Sequence, residues 1–553
     1  MSFIFFFCVI WFIAASKNVL FWLYLWQLKE YHIGRFLAHF QTVKGRKLLW
    51  NIPLLLKILF ALVFLLGWNF WKNNILLLYI GISTTLFLVV GSAVVYFFES
   101  LWTVKNIFQK KLKIPVLTFK TVPLIFICFL FEIIVSLLVF QLSGNDLSLF
   151  ILGLLLFDIF IPLIVSAIVL FFQPLAVLRK NHVIGKAIKK RKQFKDITVI
   201  GITGSLGKTS VKEFLAAILS QKFNVLKTQE HQNSEMGISE CMLNELKPEH
   251  QVFIVEMGAY NRGGIKLLCK IAQPKIGILT GINEQHLAIF GSQEKIIKTK
   301  FELIESLPED GAAILNYDNQ YVKSRIQDTN YKLKVKNKKL YSVMEKPDIW
   351  AENILVNKDL VSFRVFLRNG ESAYFHLNVL GKHNVINFLG AIGAAKELGM
   401  SLEEISKACE KIEKQQGGMV LKRSPLGMNV IDSTYSSNPD GVFSALEYLK
   451  VWPGRKAIIM PCLIELGLAS KSVHKRIGEK IAEVCQLAII TTRDRFREIK
   501  KAAMEKGIEP GKIIFSENPK DILERIEGFN NENDIILLEG RISKEITGVL
   551  IKE

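Results

Sequence analysis

The run Thr203-Gly204-Ser205-Leu206-Gly207-Lys208-Thr209-Ser210 has the residue types needed to hold a chain of phosphates. Gly204 and Gly207 let backbone N–H groups close around the oxygens. Lys208 reaches the terminal phosphates, and the hydroxyl of Thr209 can ligate magnesium. The loop departs from the commonest Walker form, because Ile202 rather than glycine stands five positions before Gly207. A second chemical group follows in Glu256, directly after the apolar run Val252 to Val255. Open α/β sheets bind ligands at the carboxyl ends of their strands, so a carboxylate there suits a magnesium ligand beside the phosphates. Standing alone, such a glutamate would more often be an ordinary surface residue.

The elements that must position these groups are legible around them. Ile197 to Ile202 is a short β-branched run and Val211 to Leu219 has a helical pattern, giving strand, glycine loop and helix in that order. Farther on, Ala457 to Met460, Leu487 to Thr491 and Ile535 to Leu538 read as short buried strands between helices. A chain of 553 residues exceeds what one core usually organises, which implies several domains.

The first third is a different polymer. Five apolar stretches, near 3–26, 53–71, 75–98, 121–142 and 148–172, approach the roughly 20 helical residues a bilayer requires. The first is read as a retained helix, since no small-residue cleavage pattern follows it. Lys29, Arg35, Lys44, Arg46 and Lys47 follow the first stretch, and Lys105, Lys110, Lys111, Lys113 and Lys120 follow the third. The connections near Lys72 and near Asn145 and Asp146 are almost uncharged, so the positive-inside rule puts the N-terminus outside and everything after 178 in the cytoplasm. Glu132 and Asp158 lie mid-span, where pairing between helices is expected and a transport role would need further acids.

Lys and Arg outnumber Asp and Glu by 70 to 50. Membrane topology absorbs much of that excess, so nucleic-acid binding is not expected. The basic run Arg179, Lys180, Lys186, Lys189, Lys190, Arg191, Lys192 and Lys195 is read as contact with lipid headgroups, worth about 1 kcal/mol per charge near an anionic surface. A site for an anionic lipid-linked substrate is the sharper alternative. The seven cysteines lack CxxC pairs or ligand spacing and are read as reduced thiols.

From about residue 197 onward the order of segments resembles the Mur ligases: TGSLGKTS, Thr228 through NSEMG, VEMGAYNRGGI, GINEQHLAIFGS, KTKFELIESLPEDGAAILNYDN, GKHNVINFLGAIGAA, IDSTYSSNPDG, and IELG with a later His474. Within that family it looks most like the branch that adds D-alanyl-D-alanine to a UDP-linked muramoyl tripeptide. The resemblance implies an ATP- and Mg2+-dependent amide ligase of peptidoglycan precursor synthesis. In it Lys208 and Thr209 hold phosphates and the first magnesium beside Glu256, while His286 and a carbamylated Lys300 serve the second. Asn384 and Asn387 would lie on the adenine side, and Asp432, Tyr435 and Asn438 would contact the nucleotide. The implied substrates are a UDP- or lipid-linked acyl precursor and an amino acid or dipeptide.

The expected architecture is therefore a membrane α-helical domain (1–178), a basic linker (179–196), an α/β P-loop central domain (197–416) and a Rossmann-like C-terminal domain (419–553). It belongs in the plasma membrane, with the catalytic domains cytoplasmic and membrane lipids as neighbours. Several positions depart from the family pattern. Gly418 stands where an arginine is usual, with Lys422 and Arg423 as substitutes; Ser433, Cys462 and Glu539 replace other typical residues; and no soluble UDP-gripping domain precedes the loop. Two other readings stay open, a membrane-associated ligase of another polymer such as poly-γ-glutamate and a non-catalytic ATP-binding membrane protein.

Overall fold

The computed structural model describes residues 2–73, 78–144, 146–413, 418–435 and 437–551, with side chains left aside at 2 and 69–81. The expected uncharged connections near Lys72 and Asn145 and the domain limit at 416 fall on or beside positions outside this description. The chain divides into two compact units, Met1–Lys180 and Asn181–Glu553.

The first unit is helical: α1 (Ser2–Leu28), two short helices (Ile33–His39, Val43–Leu49), α2 (Ile52–Asn73), α3 (Leu78–Phe108), α4 (Thr121–Ser143) and α5 (Leu147–Phe171). Helix α6 (Gln173–Arg191) begins in this unit and ends in the next. Among the described residues five helical segments are long and apolar enough to cross a membrane. The helix read as ending near residue 98 runs on to Phe108, which brings Glu99 inside it. That residue joins a buried polar network. Lys57 of α2 lies 2.6 Å from both Glu99 and Asp158, and Asp158 also accepts from Asn18 Nδ2 (2.8 Å) and Tyr96 Oη (3.2 Å). The partner of Asp158 is thus a lysine, whereas Glu132 is buried with no hydrogen-bond partner for either oxygen among the described residues. Each of these groups would be costly alone in an apolar interior, and Asp158 is retained because three donors meet it.

The second unit holds two sheets among its described residues. Strands β1 (Thr198–Thr203), β2 (Val225–Lys227), β3 (Val252–Glu256), β4 (Ile276–Leu279), β5 (Ala312–Asn316), β6 (Asn337–Ser342), β7 (Ile349–Val356), β8 (Val361–Leu367) and β9 (Ser372–Leu377) form one, in the order β2-β3-β1-β4-β5-β6-β7-β8-β9. It is parallel through β7 and closes with the antiparallel β8 and β9. Alternate residues of β1 feed separate cores, Ile200 and Ile202 on one face and Val199 on the other, so the strand reads as a continuous apolar run. Helices α7 (Lys208–Leu219), α8 (Gln293–Glu305) and α9 (His383–Glu397) cover the faces. Ile184 and Ala187 of α6 join one of those cores.

The other sheet contains β10 (Val420–Arg423), β11 (Asn429–Ser433), β12 (Lys456–Met460), β13 (Leu487–Ile490), β14 (Ile513–Phe515) and β15 (Ile535–Glu539), ordered β10-β11-β15-β12-β13-β14. All neighbours are parallel except the edge pair β10 and β11. Helices α10 (Pro439–Leu449) and α11 (Ser470–Val484) pack on it. The alternation of parallel strand and helix leaves the carboxyl strand ends of each sheet as the place for ligands.

Candidate functional site

The loop after β1 is shaped by close approach. A Cβ at Gly204 would stand 2.0 Å from Thr280 Oγ1, and one at Gly207 would stand 2.1 Å from Asn387 Oδ1, while Gly207 also has φ +80°. Both positions require glycine. The loop is then tied to its neighbours: Ser205 N donates to Gly281 O (2.8 Å), Thr203 Oγ1 to Met257 O (2.9 Å), and Asn283 N to Ser205 Oγ (3.2 Å). Lys208 folds back over the loop, its Nζ donating to Gly204 O at 2.9 Å. Burial lowers its pKa, opposed by Glu256.

Glu256 sits at the end of β3, in register with Ile202 of β1. Its carboxylate accepts from Thr209 Oγ1 (3.0 Å) and Asn233 Nδ2 (3.1 Å), and Lys212 Nζ lies 3.5 Å away. Burial alone would raise its pKa, but Lys208 and Lys212, with those two hydrogen bonds, hold it below the usual carboxylate value. An ionised carboxylate beside a threonine hydroxyl is an oxygen pair that suits a hard divalent cation.

His286 and Lys300 approach the same loop from β4 onward. His286 has φ +66° and begins the short helix Leu287–Phe290; its ring meets Tyr260 edge-on at 4.9 Å. Its Nδ1 lies 2.7 Å from Glu465 Oε2. Burial depresses the His286 pKa, Glu465 works against that, and Lys300 and Lys208 add to it. Lys300 is buried in α8, and burial together with the Lys208 cation brings its pKa down to about 7, with Glu302 opposing. An amine so poised is substantially uncharged near neutral pH. Among the described residues no three His, Cys, Asp or Glu side chains gather into a metal cluster, so any cation here would rest on the mixed set Thr209, Glu256, His286 and Lys300.

The second sheet contributes from its own strand ends. Glu465 follows β12, in a loop where Leu463 N donates to His474 Nε2 (2.9 Å) while His474 Nδ1 bonds Ser470 O (2.6 Å). His474 is thus a buried fastener for the loop that carries Glu465 to His286. Asn438 caps α10, and Asn283 Nδ2 reaches both its Oδ1 (3.3 Å) and Asp440 Oδ2 (2.8 Å). Asp432 accepts from Thr434 Oγ1 (2.6 Å) and pairs with Lys422 at 3.3 Å. Lys422 is therefore engaged by Asp432, and Arg423 is exposed. Gly418 itself lies over Ser210, where a Cβ would stand 3.7 Å from its Oγ. Tyr435 is exposed and stacks on His231. Asn387 lies against Gly207, whereas Asn384 is held behind it, donating to Leu380 O (2.9 Å).

Two matches define the lineage. The Mur ligase middle domain corresponds to residues 202–395, and the Mur ligase glutamate ligase domain to residues 419–542. The chain belongs to the Mur ligase family. Similar relatives include the UDP-N-acetylmuramoyl-tripeptide–D-alanyl-D-alanine ligases of Synechocystis, 32% identical over 52% of this chain and 59% of that one, and of Escherichia coli, 30% identical over 51% and 61%. The chain thus spans about three-fifths of those two ligases' length. The solved MurF of Acinetobacter baumannii superposes with a TM-score of 0.59 at 26% identity, covering 68% of this chain and 81% of that one. MurF of Thermotoga maritima shares the fold with a TM-score of 0.57 at 23% identity, covering 67% and 83%.

Sequence reasoning did not single out Asn233, Asn283, Asp440 or Lys212 in this Mur ligase. Their residue types are unremarkable in sequence, and only the sheet topology brings them to the loop. Glu539 is a further buried acid of the second sheet. It ends β15 beside Ser433, fully buried, with no hydrogen bond of normal geometry to either oxygen among the described residues. Burial pushes its pKa up to about 8, against the hydroxyls of Ser433 and Ser437. Between its ordinary value of 4.5 and about 8 the folded state therefore binds more protons than the unfolded state, so stability falls as pH rises through that window. Glu539→Gln is expected to melt at a higher temperature than the parent protein near pH 8 and to lose this part of the pH dependence, as thermal unfolding across pH would register.

Proposed function

We propose that the chain is an ATP-dependent amide-bond ligase of peptidoglycan precursor synthesis, joining the peptide carboxylate of a muramoyl precursor to D-alanyl-D-alanine. The observation that carries this reading is convergence. Thr209 bonds Glu256 at the strand ends of one sheet, Lys208 lies in electrostatic reach of Glu256, His286 and Lys300, and the other sheet meets this group through Glu465 on His286 and through Asn438 and Asp440 on Asn283.

A carboxylate is a poor acyl donor. Transfer of the γ-phosphoryl of ATP to it makes an acyl phosphate, the amine attacks its carbonyl carbon, phosphate leaves, and the amine gives up a proton. The loop N–H groups and Lys208 hold the phosphates, with Asn387, Asn384, Asp432, Tyr435 and Asn438 assigned to the nucleotide. Thr209 and Glu256 would hold one Mg2+ and His286 with carbamylated Lys300 a second, and bound magnesium would neutralise phosphoryl charge. Asn283 and the His286–Glu465 contact join the two sheets beside the site, a closure that would shield an acyl phosphate from water.

The helical unit would anchor the enzyme as a multi-pass protein of the plasma membrane, catalytic domains in the cytoplasm, with the basic run along anionic lipids. The domain limits 1–178, 179–196, 197–416 and 419–553 are kept as part of this proposal. The cations of Arg179 to Lys195, next to the helical unit, support a lipid-linked precursor as the acyl substrate.

The test is ADP release by the full-length protein in detergent with magnesium, offered UDP-linked or lipid-linked muramoyl tripeptide, each with and without D-alanyl-D-alanine. Turnover that requires the dipeptide is expected, faster with the lipid-linked carrier. ATP binding without turnover in every combination would sink the reading and favour a ligase of another polymer or a non-catalytic ATP-binding protein.

A further inference from the structure

The helical unit contains a carboxyl group that the ligase reading does not use. Glu132 lies in the middle of α4, fully buried, and neither oxygen has a hydrogen-bond partner among the described residues. Helices α4 and α5 are antiparallel, and their register is fixed by three contacts. Phe140 meets Phe150 edge-on at 5.7 Å, a Cβ at Gly153 would stand 2.4 Å from Val139 Cγ1, and Phe131 meets Phe157 at 6.3 Å. That register sets Glu132 level with Asp158.

The charged groups around this level balance without Glu132. Helix α1 brings Lys17 and Asn18, α2 brings Lys57, α3 brings Tyr96 and Glu99, and α5 brings Asp158; on α4 itself Cys128 lies one turn away. Lys57 lies 2.6 Å from both Glu99 and Asp158, and Lys17 lies 4.0 Å from Glu99. Two cations therefore face two anions. Asp158 further accepts hydrogen bonds from Asn18 and Tyr96. An ionised Glu132 would add a net negative charge in an apolar interior with no donor turned to it, a cost of several kcal/mol that a bound proton removes.

We propose that Glu132 is a proton-binding site of the helical unit, a carboxylic acid that holds its proton beside Asp158 in the apolar interior. The proton stays on Glu132 because the Asp158 oxygens are already committed to Lys57, Asn18 and Tyr96. This assignment is independent of the ligase reading.

Dicyclohexylcarbodiimide tests it, since this apolar reagent attacks protonated carboxyl groups. The acid proton passes to a reagent nitrogen, the carboxylate oxygen bonds to the central carbon, and rearrangement leaves an N-acylurea containing the whole reagent. The full-length protein in lipid vesicles would be treated and its peptides read by mass spectrometry. The expected result is an adduct on Glu132, none on Asp158 or Glu99, and a yield that falls as the medium is made alkaline. In Lys57→Met, Asp158 loses its cation and is expected to become labelled too. Labelling of Asp158 or Glu99 in place of Glu132 in the parent protein would overturn the proposal. So would a yield on Glu132 that sodium ions suppress at fixed pH, because the ligand would then be a metal cation.

Discussion

Replacing Lys300 by methionine is expected to lower ADP release by roughly 100- to 1000-fold, the scale of losing one preorganised electrostatic group in a site of this kind, while making the fold more stable near neutral pH. The two effects have one cause. Lys300 is buried beside the Lys208 cation, and its pKa falls from 10.5 to about 7. Between those values the folded state binds fewer protons than the unfolded state, so stability rises with pH through that window. The full penalty is present below about pH 7, and it amounts to a few kcal/mol. Methionine has no charge to desolvate and removes it. Structure-holding residues do not behave this way: their loss costs stability as well as activity. The same depressed pKa makes the amine a nucleophile toward carbon dioxide, with nitrogen bonding to carbon and a proton released as the carbamate forms. Activity of the parent enzyme should accordingly fall in carbon dioxide-depleted buffer and return with bicarbonate, with Lys300→Met indifferent to both. Parent-level turnover by Lys300→Met would remove Lys300 from the site.

What could be read from sequence divides along the distance over which contacts form. The strand, glycine loop and helix from Thr198 to Leu219 are contiguous, and their pattern announces itself in residue types alone. The family resemblance pointed to His286 and Lys300 because whole ordered segments carried it. Contacts between the two sheets were not legible. Asn283 reaches Asn438 and Asp440, and His286 reaches Glu465, across more than 150 residues of chain, and asparagine has no spacing signature of its own. In the helical unit the apolar stretches were plain, but the third was read as ending at Phe98, one residue before Glu99. Hydropathy falls where charges enter, so a span that buries an ion pair near its end looks shorter than the helix that contains it.

That ion pair supports the other large prediction: Lys57→Met should destabilise the helical unit by about 3–5 kcal/mol, the usual result of removing one partner from a buried pair. Lys57 is 2% exposed and its ammonium serves two carboxylates on different helices, Glu99 on α3 and Asp158 on α5. Methionine matches much of the volume but leaves Asp158 without its cation and Glu99 with Lys17 alone, 4.0 Å away. They must then take up protons or draw in water, and either outcome loosens α2 from α3 and α5. The loss should appear as a lower melting temperature in detergent and as a broadened elution profile. The variant Lys57→Met with Glu99→Gln and Asp158→Asn separates the two explanations available for such a loss. If the lysine matters for packing, neutralising its partners changes nothing and the triple variant melts with the single one. If it matters for charge, removal of both carboxylates recovers most of the stability, because amides need no counter-ion and Asn18 and Tyr96 can still hydrogen-bond position 158.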